Sequence, residues 1–267
     1  MHPANIGCLT AARIDCCALA NNHVLDWGQA GLRQTLQTLQ QAGIHSAGAG
    51  RNLEAAGAPA TLPLGGTRLL VFSWAAPDCG VPPDWAATAA QSGVALLSDL
   101  TEASAQRLAA LVARQRQSGD LVLVSLHWGG NWGLEVPPLH RRFAQRLIEL
   151  GAADLVHGHS SHHPRPVEVY RGRLILYGCG DLINDYEGIA LQERFDPSTV
   201  CLYFVQLSRK TGALQQLEMV PMQLRRLRLS HAKPAARRRL QSLFETGSAH
   251  FQTRLQTQTD GSWQLRW

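Results

Sequence analysis

Ala20-Asn21-Asn22-His23-Val24-Leu25-Asp26-Trp27-Gly28 is the stretch that decides how this chain is read. Before it, Ile14 to Ala20 is dominated by small apolar side chains, the pattern of a strand buried on both faces. After it, a helix is expected from about Gly28 to Ala42. Leu32, Leu36 and Leu39 fall on one face of that helix, and Gly43 stops it. The unit is therefore strand, polar loop, helix. Its polar loop lies at the carboxyl end of a strand, where open α/β sheets place ligands.

The same grammar recurs further on. Thr67 to Trp74 reads as a strand, and Thr101 to Gln117 as a helix with Leu108, Leu111 and Val112 on one face. Leu121-Val122-Leu123-Val124-Ser125-Leu126 is the clearest buried strand, ending at His127. A helix from Leu139 to Leu150 is expected to bury Leu139, Phe143, Leu147 and Leu150. Asp154-Leu155-Val156 then leads into His157. Shorter elements are a helix over Asn5 to Ala12 capped by Asn5, a strand over Ile44 to Ala49, and a loop over Pro77 to Gly93. The later chain is rich in hairpins: Val167–Tyr170 with Arg173–Tyr177, and Val200–Leu207 with Ala213–Val220. A helix over His231 to Glu245 and a tail that adds a strand complete the reading. The fold class is a layered α/β architecture with a mixed sheet and helices outside. One domain is expected over 1–230, with 231–267 as a C-terminal helix and tail packing on it.

Composition excludes several classes. The 267 residues are 45% apolar and 17% charged, as in an ordinary globular chain. Net charge is +5, yet no long basic block appears. Arg225-Arg226-Leu227-Arg228 and Arg237-Arg238-Arg239 lack neighbouring aromatic stacking motifs and read as solvated faces, so nucleic acid is not an expected partner. The six cysteines show no Cys-x-x-Cys spacing and no disulfide framework, which favours a reducing compartment. No 18-residue apolar run or signal peptide is visible.

Eleven histidines are more informative. His2, His45, His140, His231 and His250 read as structural or solvated. His23, His127, His159 and His162 each sit where a strand gives way to a polar or glycine-bearing loop. Neutral imidazole is a common ligand of first-row metals, and a metal site built from strand ends would use such residues. The plainer alternative is a set of hydrogen-bonded loop histidines.

Five stretches in this order resemble the CapA-type proteins linked to poly-γ-glutamate capsule synthesis, a branch of the calcineurin-like metallophosphoesterases. They are Leu19 to Gly28; Ala42-Gly43-Ile44 with Gly48-Ala49-Gly50; Ser125 to Gly129; Ile148 through Gly158-His159 to His162; and Gly172 to Tyr177 with Gly180-Asp181. The resemblance reaches from about Met1 to Tyr186. It implies a β-sandwich flanked by helices that holds two divalent metals (Mn, Fe or Zn) about 4 Å apart. It implies that Asn22, His127, His159 and His162 are metal ligands and that His23 is the catalytic acid. The expected substrate is a phosphate ester or an anionic polymer.

Two departures from the family pattern shape the expectations. The acid that follows the Asn-His pair directly in the phosphoesterases is replaced by Val24, leaving Asp26 either to cap the next helix or to orient a ligand from behind. The family also opens with a strand ending in Gly-Asp and a second acidic motif, whereas Met1-His2-Pro3-Ala4-Asn5 already resembles its interior. The expectation is a member whose N-terminal strands, and any signal or anchor for the envelope, are missing. By itself this chain suits the cytoplasm. Histidines alone give a pair of dications little negative charge. A non-catalytic accessory or polymer-binding component, or an inactive fragment, therefore stands beside the hydrolase as an alternative.

Overall fold

The computed structural model describes residues 2–183 and 195–267. It is a mixed α/β structure that divides into two compact units, Met1–Gly129 with Glu149–Ala153, and Gly130–Ile148 with Asp154–Trp267.

The first unit contains α1 (Gly7–Ala11), β1 (Cys16–Ala18), α2 (Gly28–Gln41), β2 (His45–Ala47), β3 (Ala49–Gly50), α3 (Leu53–Gly57), β4 (Ala60–Leu64), β5 (Thr67–Ala75), β6 (Gly93–Val94), α4 (Glu102–Gln115) and β7 (Leu121–His127). β4 and β5 form an antiparallel hairpin across Gly65-Gly66, both at positive φ, as a tight right-twisted hairpin requires. β5 pairs in parallel with β7, placing Ser73 opposite Ser125 and Ala75 opposite His127. Parallel pairing puts the carboxyl ends of both strands on one edge. β1 and β2 form a separate parallel pair. Cys16 and Ala47 from that pair pack with Ala60, Leu62, Leu69, Val71 and Leu123, which share one face of β4, β5 and β7. α2 closes the other side of the pair. Its Leu32 and Leu39 are buried among Leu19, Ala20, Leu25, Ile44 and Val94. Each such leucine contributes about 1.5–3 kcal/mol of transfer free energy.

The second unit contains most of α5 (Pro138–Glu149), then β8 (Leu155–His159), β9 (Val167–Tyr170), β10 (Arg173–Leu176), β11 (Thr199–Leu207), β12 (Leu214–Arg225), β13 (Arg228–His231), α6 (Pro234–Ser248), β14 (Arg254–Thr257) and β15 (Trp263–Arg266). β10 pairs with β8 in parallel and with β9 antiparallel. β11, β12, β15 and β14 form a sheet in that order, with β13 paired to the far end of β12. Met219 and Trp263 sit opposite each other in register and are fully buried, with the edge of Phe244 from α6 against Trp263. α5 is tied to β9 by Glu168, a buried carboxylate that accepts hydrogen bonds from Arg141, Gln145 and the Tyr177 hydroxyl.

Several local expectations change. Asn5 does not cap a helix: a 3-10 turn spans Pro3–Asn5, capped by His2, and α1 follows without a side-chain cap. β1 is three residues long and half-buried, rather than a fully buried strand over Ile14 to Ala20. On α5, Leu139 is 44% exposed while His140 is buried, so the apolar face is rotated by one residue and His140 is structural. α6 begins at Pro234, which suits a first helical turn because it has no amide to leave unbonded. The tail forms two strands, and β13 was not expected.

Candidate metal-binding and acid–base residues

The loop between β1 and α2 is built by its own polar atoms. Asn21 Oδ1 accepts from the His23 amide at 2.9 Å, and the Asp26 amide donates to the His23 carbonyl at 3.3 Å. Leu25 is buried in the core and anchors the loop, while Val24 packs partly against it. These bonds send Asn22 and His23 in different directions. Asn22 is half-buried, and its Oδ1 stands 3.2 Å from His127 Nε2. His127 ends β7 with 6% of its surface exposed. The His23 side chain is 73% exposed, and its Nδ1 lies 2.8 Å from Asp26 Oδ2. Asp26 therefore orients the imidazole. It does not cap α2, whose cap position is Trp27, with no side-chain bond.

The second unit gathers its own group. His159 is the last residue of β8 and is half-buried, its ring 5.6 Å from that of His157. Burial pushes the His157 imidazole down to about 4. His162 Nδ1 lies 3.1 Å from both carboxylate oxygens of Asp181, and its amide donates to the Asn131 carbonyl at 3.1 Å. A carboxylate on one ring nitrogen is the usual way an imidazole is held for ligation through the other. His163 is buried between Phe195, at 4.0 Å between ring centres, and Trp132, at 6.0 Å. Burial pushes it down to about 4. Arg165 donates to the Gly130 carbonyl at 2.8 Å and so ties the segment before Trp132 to the histidine loop.

The sequence-derived residues thus fall into pairs: Asn22 with His127, His23 with Asp26, and His162 with Asp181. Among the described residues, no three His, Cys, Asp or Glu side chains gather closely enough to hold a metal ion. The Asn22–His127 pair still has suitable chemistry. Two donors about 2.1 Å from one first-row ion stand roughly 3.0–3.4 Å apart, and the observed 3.2 Å lies in that range. The same separation is a hydrogen bond when Nε2 carries the proton.

Sequence reasoning gave Asp181 no role beyond its place in a family motif, yet it faces His162. It passed over Asp78, whose Oδ1 accepts from the Gly129 amide at 3.2 Å. The available signal was an acid just past the carboxyl end of a strand, the position that singled out the histidines. Trp128, next to His127, is a core residue at 1% exposure. Asp185 lies outside the described residues.

Comparison with known proteins agrees with the motif reading. The family model "Bacterial capsule synthesis protein PGA_cap" matches residues 1–186, the same reach as the five motifs. A probable polyglutamine synthesis accessory protein of Mycobacterium tuberculosis is 45% identical over 262 residues, covering 97% of this chain and 69% of that protein. The capsule biosynthesis protein CapA of Bacillus anthracis and the PGA biosynthesis protein CapA of Bacillus subtilis are each 26% identical over 167 residues. That span is 62% of this chain and 39% and 41% of theirs. No helix among the described residues is long and apolar enough to cross a membrane. With a family model matching well over half the chain and a relative at 45% identity, the chain belongs to the PGA_cap family of capsule and polyglutamate synthesis proteins.

Proposed function

We infer that the chain is a metal-dependent hydrolase of phosphoesterase type acting in the synthesis of a polyglutamate or capsule polymer. The reading is carried by one observation: Asn22 Oδ1 faces His127 Nε2 at 3.2 Å, while the adjacent residue, His23, is held by Asp26 at 2.8 Å. An amide oxygen and an imidazole nitrogen suit a divalent Mn, Fe or Zn ion, and His159 and His162 offer the same donor type in the second unit. A bound divalent ion would acidify a water molecule and spread the charge of the transferring phosphoryl group. The residues do the rest. With Nδ1 engaged by Asp26, the exposed His23 ring presents Nε2 outward, where it can give a proton to a leaving oxygen. Asp26 holds the ring in that orientation between turnovers.

Purified protein loaded with Mn²⁺, Fe²⁺ or Zn²⁺ and offered an aryl phosphate tests this. Wild type is expected to retain metal and hydrolyse the ester. His127→Ala should lose metal. His23→Ala should keep metal and lose about 10²–10⁴-fold in turnover. Wild-type protein that neither retains metal nor turns over substrate with any of the three ions sinks the reading.

The name of the mycobacterial relative favours a second reading, a non-catalytic accessory that binds the polymer. A net charge of +5 suits an anionic chain. Poly-γ-glutamate binding that survives His127→Ala and His159→Ala would favour it. Absence of binding even at low ionic strength would count against it.

A further inference from the structure

The hairpin of β12 and β13 makes three unfavourable local choices at its tip. Its two-residue turn is Arg226-Leu227, at φ +50 and +56. Asn-Gly is the usual choice for a left-handed turn of this kind, because larger L side chains are strained there. Arg225 stands opposite Arg228 to close the turn, and like charges facing each other across a ladder repel. Leu227 sits at the apex, 60% exposed. Folding alone favours none of these residues, and strain of this kind gathers where a surface has a task.

Charge gives that task its chemistry. No Asp or Glu lies between Glu218 and Glu245, an interval that holds seven Lys and Arg. Arg225, Arg226 and Arg228 are exposed, and among the described residues no hydrogen bond or ion pair engages their guanidinium groups. The Lys233 amide donates at 3.0 Å to Oε1 of Gln223, two residues before Arg225, which fixes the exposed start of α6 beside the hairpin. The acids on either side are held in their own turns. Asp196 accepts from the Ser198 and Thr199 hydroxyls, with Arg239 as its nearby cation. Asp260 accepts from the Ser262 amide, with His231 nearby.

We propose that this hairpin and the start of α6 form a docking surface for an extended polycarboxylate, the glutamate polymer of the second reading above, on which the proposal rests. Guanidinium forks take carboxylates two bonds at a time. Cross-strand neighbours about 5 Å apart can hold successive carboxylates of one polymer strand. Phosphate-bearing partners fit less well. No Phe, Tyr or Trp lies between Arg225 and Arg239 for bases to stack on, and a single apical leucine offers a membrane little to bury.

The experiment is calorimetric titration of the full chain with poly-γ-glutamate at several salt concentrations, beside anionic phosphatidylserine vesicles and a DNA duplex. Arg225→Gln/Arg226→Gln/Arg228→Gln is expected to bind the polymer at least about 10-fold more weakly, with a flatter salt dependence. Arg209→Gln/Lys210→Gln/Arg254→Gln removes the same charge from exposed positions elsewhere in the second unit and is expected to bind as wild type does. Equal weakening by the two triple variants overturns the proposal, since net charge alone would then govern binding. Undiminished binding by the hairpin variant also overturns it and leaves the polymer reading standing. Absence of binding by wild type overturns both. Vesicles or DNA held more tightly than the polymer through the same arginines overturn the polymer as occupant. Arg226→Asn/Leu227→Gly guards against misfolding: it relieves the turn, so it should unfold at a higher temperature and yet bind about 3-fold more weakly. Wild-type affinity in that relieved hairpin overturns the proposal.

Discussion

His23 and Asp26 show what three residues of spacing achieve in a tight turn. Val24 and Leu25 point into the core, so the two polar side chains are left on the outside, 2.8 Å apart. A carboxylate at Nδ1 stabilises the tautomer that carries its proton there, leaving Nε2 as the reactive nitrogen. In neutral wild-type His23 the Nδ1–H tautomer should dominate. Asp26→Ala should return the ring to the Nε2–H form that free imidazole side chains prefer. Ring ¹⁵N chemical shifts of the two proteins read this directly, without any substrate. Identical tautomer populations would mean that the pair has no orienting role. Legibility at this scale was uneven. Asn22, His23 and His127 stand out in the sequence because each ends an apolar run. Asp181 and Asp78 do not, because what marks them is a partner 19 and 51 residues away in the chain.

The elements were legible where periodicity is long. α2, α4, β5 and β7 fall within a residue or two of their expected bounds, since a 14-residue helix or a seven-residue apolar strand repeats its signal. Elements of two to four residues carry too few repeats: β1 shrank, and β13 was missed. Half-burial is also invisible to periodicity, which is why Leu139 rather than His140 was expected inside. Gly48 illustrates a constraint that composition only hints at. It joins β2 to β3 at φ +97, and an added Cβ would lie 2.6 Å from Ser73 Oγ and 2.7 Å from the Ala20 amide. Neither neighbour has room to retreat, since Ser73 and Ala20 are both buried. Gly48→Ala should therefore cost about 2–4 kcal/mol, combining overpacking with a left-handed backbone. Because Ala20 precedes the Asn21–His23 turn, amide signals of that turn should shift in the mutant as well. Urea unfolding showing a loss below about 0.5 kcal/mol would contradict the close approach.

For the molecule as a whole, burial and charge pairing set the response to acid. Burial pushes the imidazoles of His157 and His163 from 6.5 to about 4. Between those values the unfolded chain binds protons that the native protein refuses, so stability rises with pH across the window. The contribution is complete above about 6.5 and is lost as pH falls toward 4. Asp120 acts lower down. Its hydrogen bond from Arg68 holds the buried carboxyl below its ordinary 3.8, so its contribution is present above that value and is lost as pH falls through the depressed one. Metal-free protein should thus weaken in two stages on acidification. His163 is 2% exposed and can account for about 2–3 kcal/mol of the loss between pH 7 and about 4.5. His163→Phe keeps an aromatic ring against Phe195 and cannot protonate, so its loss over that interval should be smaller by this amount. Asp120→Ala should match wild type over the same interval and flatten only below the ordinary carboxylate range. Urea titrations across this pH range measure both differences. A His163→Phe protein that weakens as steeply as wild type would show that this imidazole takes up its proton without loss of packing, and the first stage would then belong to His157 alone.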